Sequence, residues 1–130
     1  MKWLHKADVD VRLIRYTELL AKLLDTTPVI LSDYREGDKG QHGLGKAVDV
    51  YWPDLDPLEV LEYVMGLNIF GGIGIYLNEK GAVSFHFDIR SHKADGSIAT
   101  WGCFITHPNG KKCMNYTTMD AVVKRIKETE

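Results

Sequence analysis

A chain of 130 residues has room for one domain whose core needs no disulfide or metal staple. Hydrophobic residues make up 45% and charged residues 26%, which excludes a disordered chain, and 16 basic against 18 acidic side chains argue against a polyanion binder. Two cysteines, Cys103 and Cys113, rule out a disulfide-rich scaffold and, lacking CxxC spacing, read as free thiols.

No apolar run of a secretory signal follows Met1, so synthesis in the cytoplasm is expected. No stretch approaches the ~20 apolar residues of a bilayer span. Val9, Leu13, Tyr16, Leu20 and Leu23 recur at helical spacing and predict an amphipathic helix from about 9 to 24, stopped by Thr27-Pro28. Val29-Ile30-Leu31 is a short β run. Residues 33–45 form a polar loop with glycines at 37, 40, 43 and 45, and Ala47 to Trp52 is a strand with Val48 and Val50 on one face and Asp49 on the other. Asp56-Pro57-Leu58-Glu59 is a helix start, and the helix is expected to bury Leu58, Leu61 and Met65 and to end near Gly66.

A glycine-rich strand, 71–77, follows. Asn78-Glu79-Lys80-Gly81 turns the chain, and Val83, Phe85, Phe87 and Ile89 then alternate with Ser84, His86, Asp88 and Arg90 in a second strand. A three-residue loop with Gly81 left-handed would pair Tyr76 with Ser84, Gly74 with His86 and Gly72 with Asp88. That register predicts an open slot over His86. Residues 91–98 read as a loop, 99–106 as another strand, and Thr117 or Thr118 as the start of a last helix burying Met119, Val122 and Ile126. Helices at the ends and strands in the middle give an α+β fold, one domain over 1–130, with a small, mostly antiparallel sheet and flanking helices.

His42 and Asp49 lie seven apart across the loop-to-strand junction, and His86 sits on a strand whose other face is anchored in the core. Two imidazoles and a carboxylate are a common zinc set that leaves a fourth position for water. Long gaps between ligands carry little specificity, so on spacing alone a structural histidine and a salt-bridged aspartate stay open.

Four blocks occur in order: Ser32-Asp33-Tyr34-Arg35; His42-Gly43-Leu44-Gly45-Lys46-Ala47-Val48-Asp49; Gly71-Gly72-Ile73-Gly74-Ile75-Tyr76; and His86-Phe87-Asp88-Ile89-Arg90. From about residue 30 to Trp101 the chain resembles the D-Ala-D-Ala carboxypeptidase and VanX-like zinc peptidases, which share their metal site with the hedgehog signalling domain. The likeness is greatest to the short HxD branch found in murein peptidases and phage endolysins. It implies a hedgehog-type zinc fold, Zn²⁺ on His42, Asp49 and His86, and Arg35 steadying a carbonyl or substrate carboxylate. Ser32 and Tyr76 are candidate substrate-binding residues.

The chain departs from the better-known members at the general base. Where they carry an acid, three residues before the last zinc histidine, Val83 stands here. Asp88 is the candidate for the base or for a carboxylate that orients the site, with a salt bridge to Arg35 or Arg90 as the alternative, and His92, Glu36 and Asp38 are reserves. His5 and His107 read as surface residues, and Lys111, Lys112, Lys124, Arg125 and Lys127 as solvated helix surface. The resemblance implies a monomeric zinc metallopeptidase, a carboxypeptidase or endopeptidase hydrolysing an amide in peptidoglycan peptides. It would act on the cell wall after release, as a phage or prophage lysin does. No nucleic-acid partner is expected. The alternative is a non-catalytic zinc-fold binding or virion module, which Val83 supports.

Overall fold

The computed structural model describes residues 1–130 as three helices and six strands: α1 (Val11–Leu23), β1 (Val29–Ser32), β2 (Ala47–Tyr51), α2 (Pro57–Leu67), β3 (Gly72–Asn78), β4 (Val83–Asp88), β5 (Ala99–Thr106), β6 (Cys113–Thr117) and α3 (Met119–Glu128). The strands form one sheet in the order β1-β2-β4-β3-β5-β6. The β3–β5 pair is parallel and the other pairs are antiparallel, so the fold is α+β with a mixed sheet.

Alternation decides which face of the sheet is core. Val48, Val50, Ile73, Ile75, Phe85 and Phe87 are buried together with Leu13 and Leu20 of α1, Val60 and Val64 of α2 and Val122 of α3. Phe70 stacks on Phe87 at 4.7 Å between ring centroids, and Phe85 lies 5.8 Å from Phe87 on its other side. The opposite face carries the intervening residues. One row across it reads Ser32, Asp49, His86, Gly74 and Trp101.

The hairpin register follows its turn. Gly81 has φ +85°, Asn78 N donates to Ala82 O at 3.0 Å, and Leu77 pairs with Val83, leaving a three-residue loop. Gly74 therefore lies opposite His86 and Gly72 opposite Asp88, as expected. The space directly over these glycines is filled. A Cβ on Gly74 would stand 2.5 Å from Trp101 Nε1, and one on Gly72 would stand 2.5 Å from Asp88 Oδ2 and 2.8 Å from Arg90 Nε. The glycines admit side chains from β4 and β5 and leave no empty floor.

Helix ends are set by side chains. Asp10 and Asp56 accept backbone N–H groups at the starts of α1 and α2, and Thr118 Oγ1 accepts from Ala121 N at the start of α3. The end of α2 falls at Asn68, left-handed at φ +53°, rather than at Gly66. Its buried face is Val60, Leu61 and Val64, while Met65 is exposed; α1 likewise buries Leu13, Ile14, Thr17, Leu20 and Ala21 and exposes Leu23. Leu13, Leu20 and Leu61 are buried as expected and Tyr16 and Leu58 partly so, while Leu23 and Met65 yield to apolar residues one position away. In α3, Val122 and Ile126 are buried and Met119 partly so.

The sequence pattern missed β6, which pairs with β5 from Gly102↔Thr117 to Thr106↔Cys113. Lys112 consequently precedes an edge strand and does not belong to a helix surface. Cys103 and Cys113 are free.

Replacing Gly74 by alanine tests the filled slot. The added methyl has no room unless the indole moves, so Gly74→Ala is expected to lose about 1–3 kcal/mol in urea unfolding and to shift the Trp101 environment in near-UV circular dichroism. An unchanged stability would show that the indole is not fixed there.

Candidate metal centre

Strand pairing brings two of the three candidate ligands together. Asp49 lies directly across the β2–β4 ladder from His86, and His86 Nδ1 is 3.1 Å from Asp49 Oδ1. The third arrives on a short 3₁₀ turn, Gln41–Leu44, which places His42 Nε2 3.3 Å from the same Asp49 oxygen. The turn depends on two glycines. A Cβ at Gly43 would strike the Asp38 carbonyl, and one at Gly45, where φ is +70°, would strike the Asp8 carbonyl. One ligand atom from each of His42, Asp49 and His86 lies within 4.8 Å of the others, so the group could hold a metal ion.

Each imidazole is fixed through its other nitrogen. His42 Nδ1 donates to the Asp33 carbonyl at 2.7 Å, which leaves Nε2 as the free lone pair facing the site. His86 Nε2 donates to Asp88 Oδ2 at 2.8 Å, which leaves Nδ1 to face Asp49 and His42. Orienting contacts of this kind set the tautomer of a metal-ligating histidine. Asp88 is in turn fully occupied. Arg90 donates to it from NH2 at 2.7 Å, from Nε at 2.9 Å and from its backbone N at 3.1 Å.

A second layer covers His86. The Trp101 ring lies 5.0 Å from the imidazole, and the Arg90 guanidinium sits 5.2 Å from the Trp101 centroid. Trp101 Nε1 donates to Tyr76 Oη at 2.8 Å. The bare backbone of Gly74 provides the space for this indole.

The electrostatics follow from these contacts. Burial raises the Asp49 carboxyl, but the adjoining His42 and His86 imidazoles outweigh it and hold it far below the usual carboxylate range. Burial likewise raises Asp88, and His86 and Arg90 bring it down to about 2. Burial lowers His86, but the carboxylates of Asp49 and Asp88 outweigh that, so in the metal-free protein it holds its second proton more tightly than usual. Metal binding competes with that proton. Burial pushes the Tyr76 hydroxyl far up, so it stays neutral.

The His42, Asp49 and His86 group opens into a cleft of about 800 Å³, which Ser32, Arg35 and Tyr76 also line. Arg35 is half exposed and lies 3.7 Å from Asp38, another cleft residue. Asp88 is fully buried behind His86 and does not line the cleft, a position that suits an orienting carboxylate and not a base. Of the reserves, His92 bonds to Asn68 at 3.1 Å, and neither it nor Glu36 lines the cleft, whereas Asp38 does. Val83 lines it without offering a polar atom.

No family model, curated protein or solved structure matches this chain. What the residues can do is therefore read from their own geometry.

Two contributors escaped the sequence reading, whereas the Asp88–Arg90 salt bridge is one of the two pairings expected for Asp88. Trp101 had no role beyond its place after the last motif. Asp33 is fully buried, and its carboxylate accepts from Leu4 N and His5 N at 2.8 Å and lies 2.8 Å from His5 Nδ1. The His5 ring is thus exposed but tethered, and the N-terminal segment holds the residue whose carbonyl orients His42. The only available signal was an aspartate between Ser32 and Tyr34, which carries no periodic information.

Two outcomes follow. Arg90→Ala leaves the Asp88 charge buried with one partner fewer and is expected to cost roughly 3 kcal/mol, read from denaturant unfolding. Asp88 is held at about 2 against an ordinary 3.8, so its contribution is present above about 3.8 and lost as pH falls through about 2. The melting temperature of the metal-free protein should fall more steeply over that interval than that of Asp88→Asn. Parallel curves would remove Asp88 as the acid-sensitive group.

Proposed function

We propose that this chain is a zinc-dependent peptidoglycan peptidase of the D-Ala-D-Ala carboxypeptidase and VanX-like superfamily, with the hedgehog-type zinc fold. The observation that supports it most is the convergence of His42 Nε2, Asp49 Oδ1 and His86 Nδ1, with each imidazole held from behind by Asp33 or Asp88. Two nitrogens and one carboxylate oxygen, opening on a cleft, are the donor set of a catalytic zinc site with a vacant coordination position. When bound, zinc polarises a carbonyl and makes water acidic enough to react near neutral pH.

The chain's own groups divide the remaining work. Arg35 presents a permanently charged planar fork to a substrate carboxylate or to the negative charge that develops on the scissile carbonyl. Ser32, beside Asp49 in the β1–β2 register, and Tyr76, neutral at working pH, offer hydroxyls to the substrate backbone. Asp88 holds the Nε2 proton of His86 and keeps Nδ1 aimed inward. Asp38 is the acid that lines the cleft without belonging to the ligand group, and it is assigned the proton transfer from water to the leaving amine.

Purified protein is expected to carry one zinc and to release peptides from purified sacculi with loss of turbidity, and His42→Ala should lose both. Asp38→Asn should lower the rate by about 10²-fold or more with zinc content unchanged. A rate close to wild type would move the proton transfer to another group.

A second reading, a zinc-fold binding module without chemistry, is favoured by Val83 at the usual acid position and by the full occupation of Asp88. Stoichiometric zinc with no peptide released by wild type would decide for it.

A further inference from the structure

Beyond the metal centre, the cleft continues along the open sheet face onto the β5–β6 hairpin, outside the stretch that carries the family resemblance. We infer that this extension is a subsite for an extended peptide whose carboxylate, several residues from the reacting bond, is held by Lys112. The inference names the substrate side of the peptidase reading and rests on it for the position of the bond.

Register places the parts. Tyr76, Cys103 and Tyr116 form one row across β3, β5 and β6, and Ile105 and Met114 form part of the next. The rings of Tyr76 and Tyr116 meet edge to face at 6.3 Å across the intervening strand, over the fully buried Cys103. Tyr116 is 64% exposed, a large aromatic surface open to the cleft it lines. Ile105 and Met114 continue the apolar floor, and Lys112 closes its far end.

Length and charge select the occupant. Trp101, beside the metal centre, is four residues from Ile105 on β5, and Lys112 is two residues beyond Met114. At ~3.3 Å per residue that path is about 20 Å, the span of roughly six residues of extended chain. Lys112 takes part in no ion pair, and Glu79 on the neighbouring turn is engaged by His107 at 3.1 Å. An apolar floor of Tyr116, Ile105 and Met114 with an unpaired cation at its far end suits an extended peptide that carries a carboxylate at that end.

The test titrates the zinc-loaded full chain with end-capped hexapeptides of alternating alanine and serine. One glutamate stands at the first or the last position, so that both chain directions are sampled, and the same peptides with glutamine serve as the uncharged pair. Binding is followed by backbone amide shifts and by affinity. A glutamate peptide should bind about fivefold more tightly than its glutamine twin, the scale of a well-formed exposed ion pair. The shifts should run along β5 and β6.

Lys112→Ala should erase the preference and Lys112→Glu reverse it, with Lys111→Ala as an unaffected control. Tyr116→Ala should weaken both peptides alike. Equal affinities, shifts confined to the surroundings of His42 and His86, or tighter Lys112-independent binding of an N-acetylglucosamine oligomer would each overturn the proposal. A Lys112-dependent preference in a protein that releases nothing from sacculi would sink the peptidase reading and leave the subsite standing. Hydrolysis without that preference would do the reverse.

Discussion

The imidazole of His86 cannot turn. Its Nε2–H is bound to a fully buried carboxylate, that carboxylate is bound by Arg90, and an indole covers the ring at 5.0 Å. The constraint exists because β4 lies inside the sheet, between β2 and β3, with Phe85 and Phe87 sealed into the core on its other face. An imidazole on such a strand keeps one direction for its second nitrogen. Asp49 stands across the ladder in that direction, and the His42 turn closes the third side.

Holding charged groups in a half-buried site is costly unless every one is paired. The pairing here is carried through successive layers: Asp49 by two imidazoles, His86 by two carboxylates, Asp88 by a guanidinium, and that guanidinium by the Trp101 face. The glycines of β3 make this layering possible, because only a strand without side chains there admits both the indole and the Asp88–Arg90 pair. Asp33 performs the corresponding service for His42 and ties it to the first residues of the chain. The sheet's open face is consequently rigid at the metal end and apolar and less occupied toward β6.

Local signals in the sequence were read correctly where the chain decides locally. The alternation from Val83 to Ile89, the left-handed Gly81 and the Asp56 cap each depend on a few neighbouring residues, and the first two define the β3–β4 register. The His42, Asp49 and His86 group was legible only by combining that register with the order of motifs, since nothing in the spacing 42–49–86 is itself specific. What stayed hidden depends on distant partners. Whether glycines 72 and 74 border a cavity or a side chain is decided by Trp101 and Arg90 on later segments. Met65 was misplaced because Val64 competes with it at the same period, one residue away. β6 escaped because Cys113-Met114-Asn115-Tyr116-Thr117 is a short edge strand with no apolar alternation strong enough to announce it.

A metal held by this group would be taken by Nε2 of His42 and Nδ1 of His86, with Asp88 behind the second ring. Anomalous diffraction at the zinc edge, from crystals of the zinc-loaded protein, tests it most directly. One peak is expected about 2.0–2.2 Å from each of those two nitrogens and from an Asp49 oxygen, with the His86–Asp88 hydrogen bond intact. A peak on Nε2 of His86 beside Asp88, or none within reach of the three residues, would contradict it.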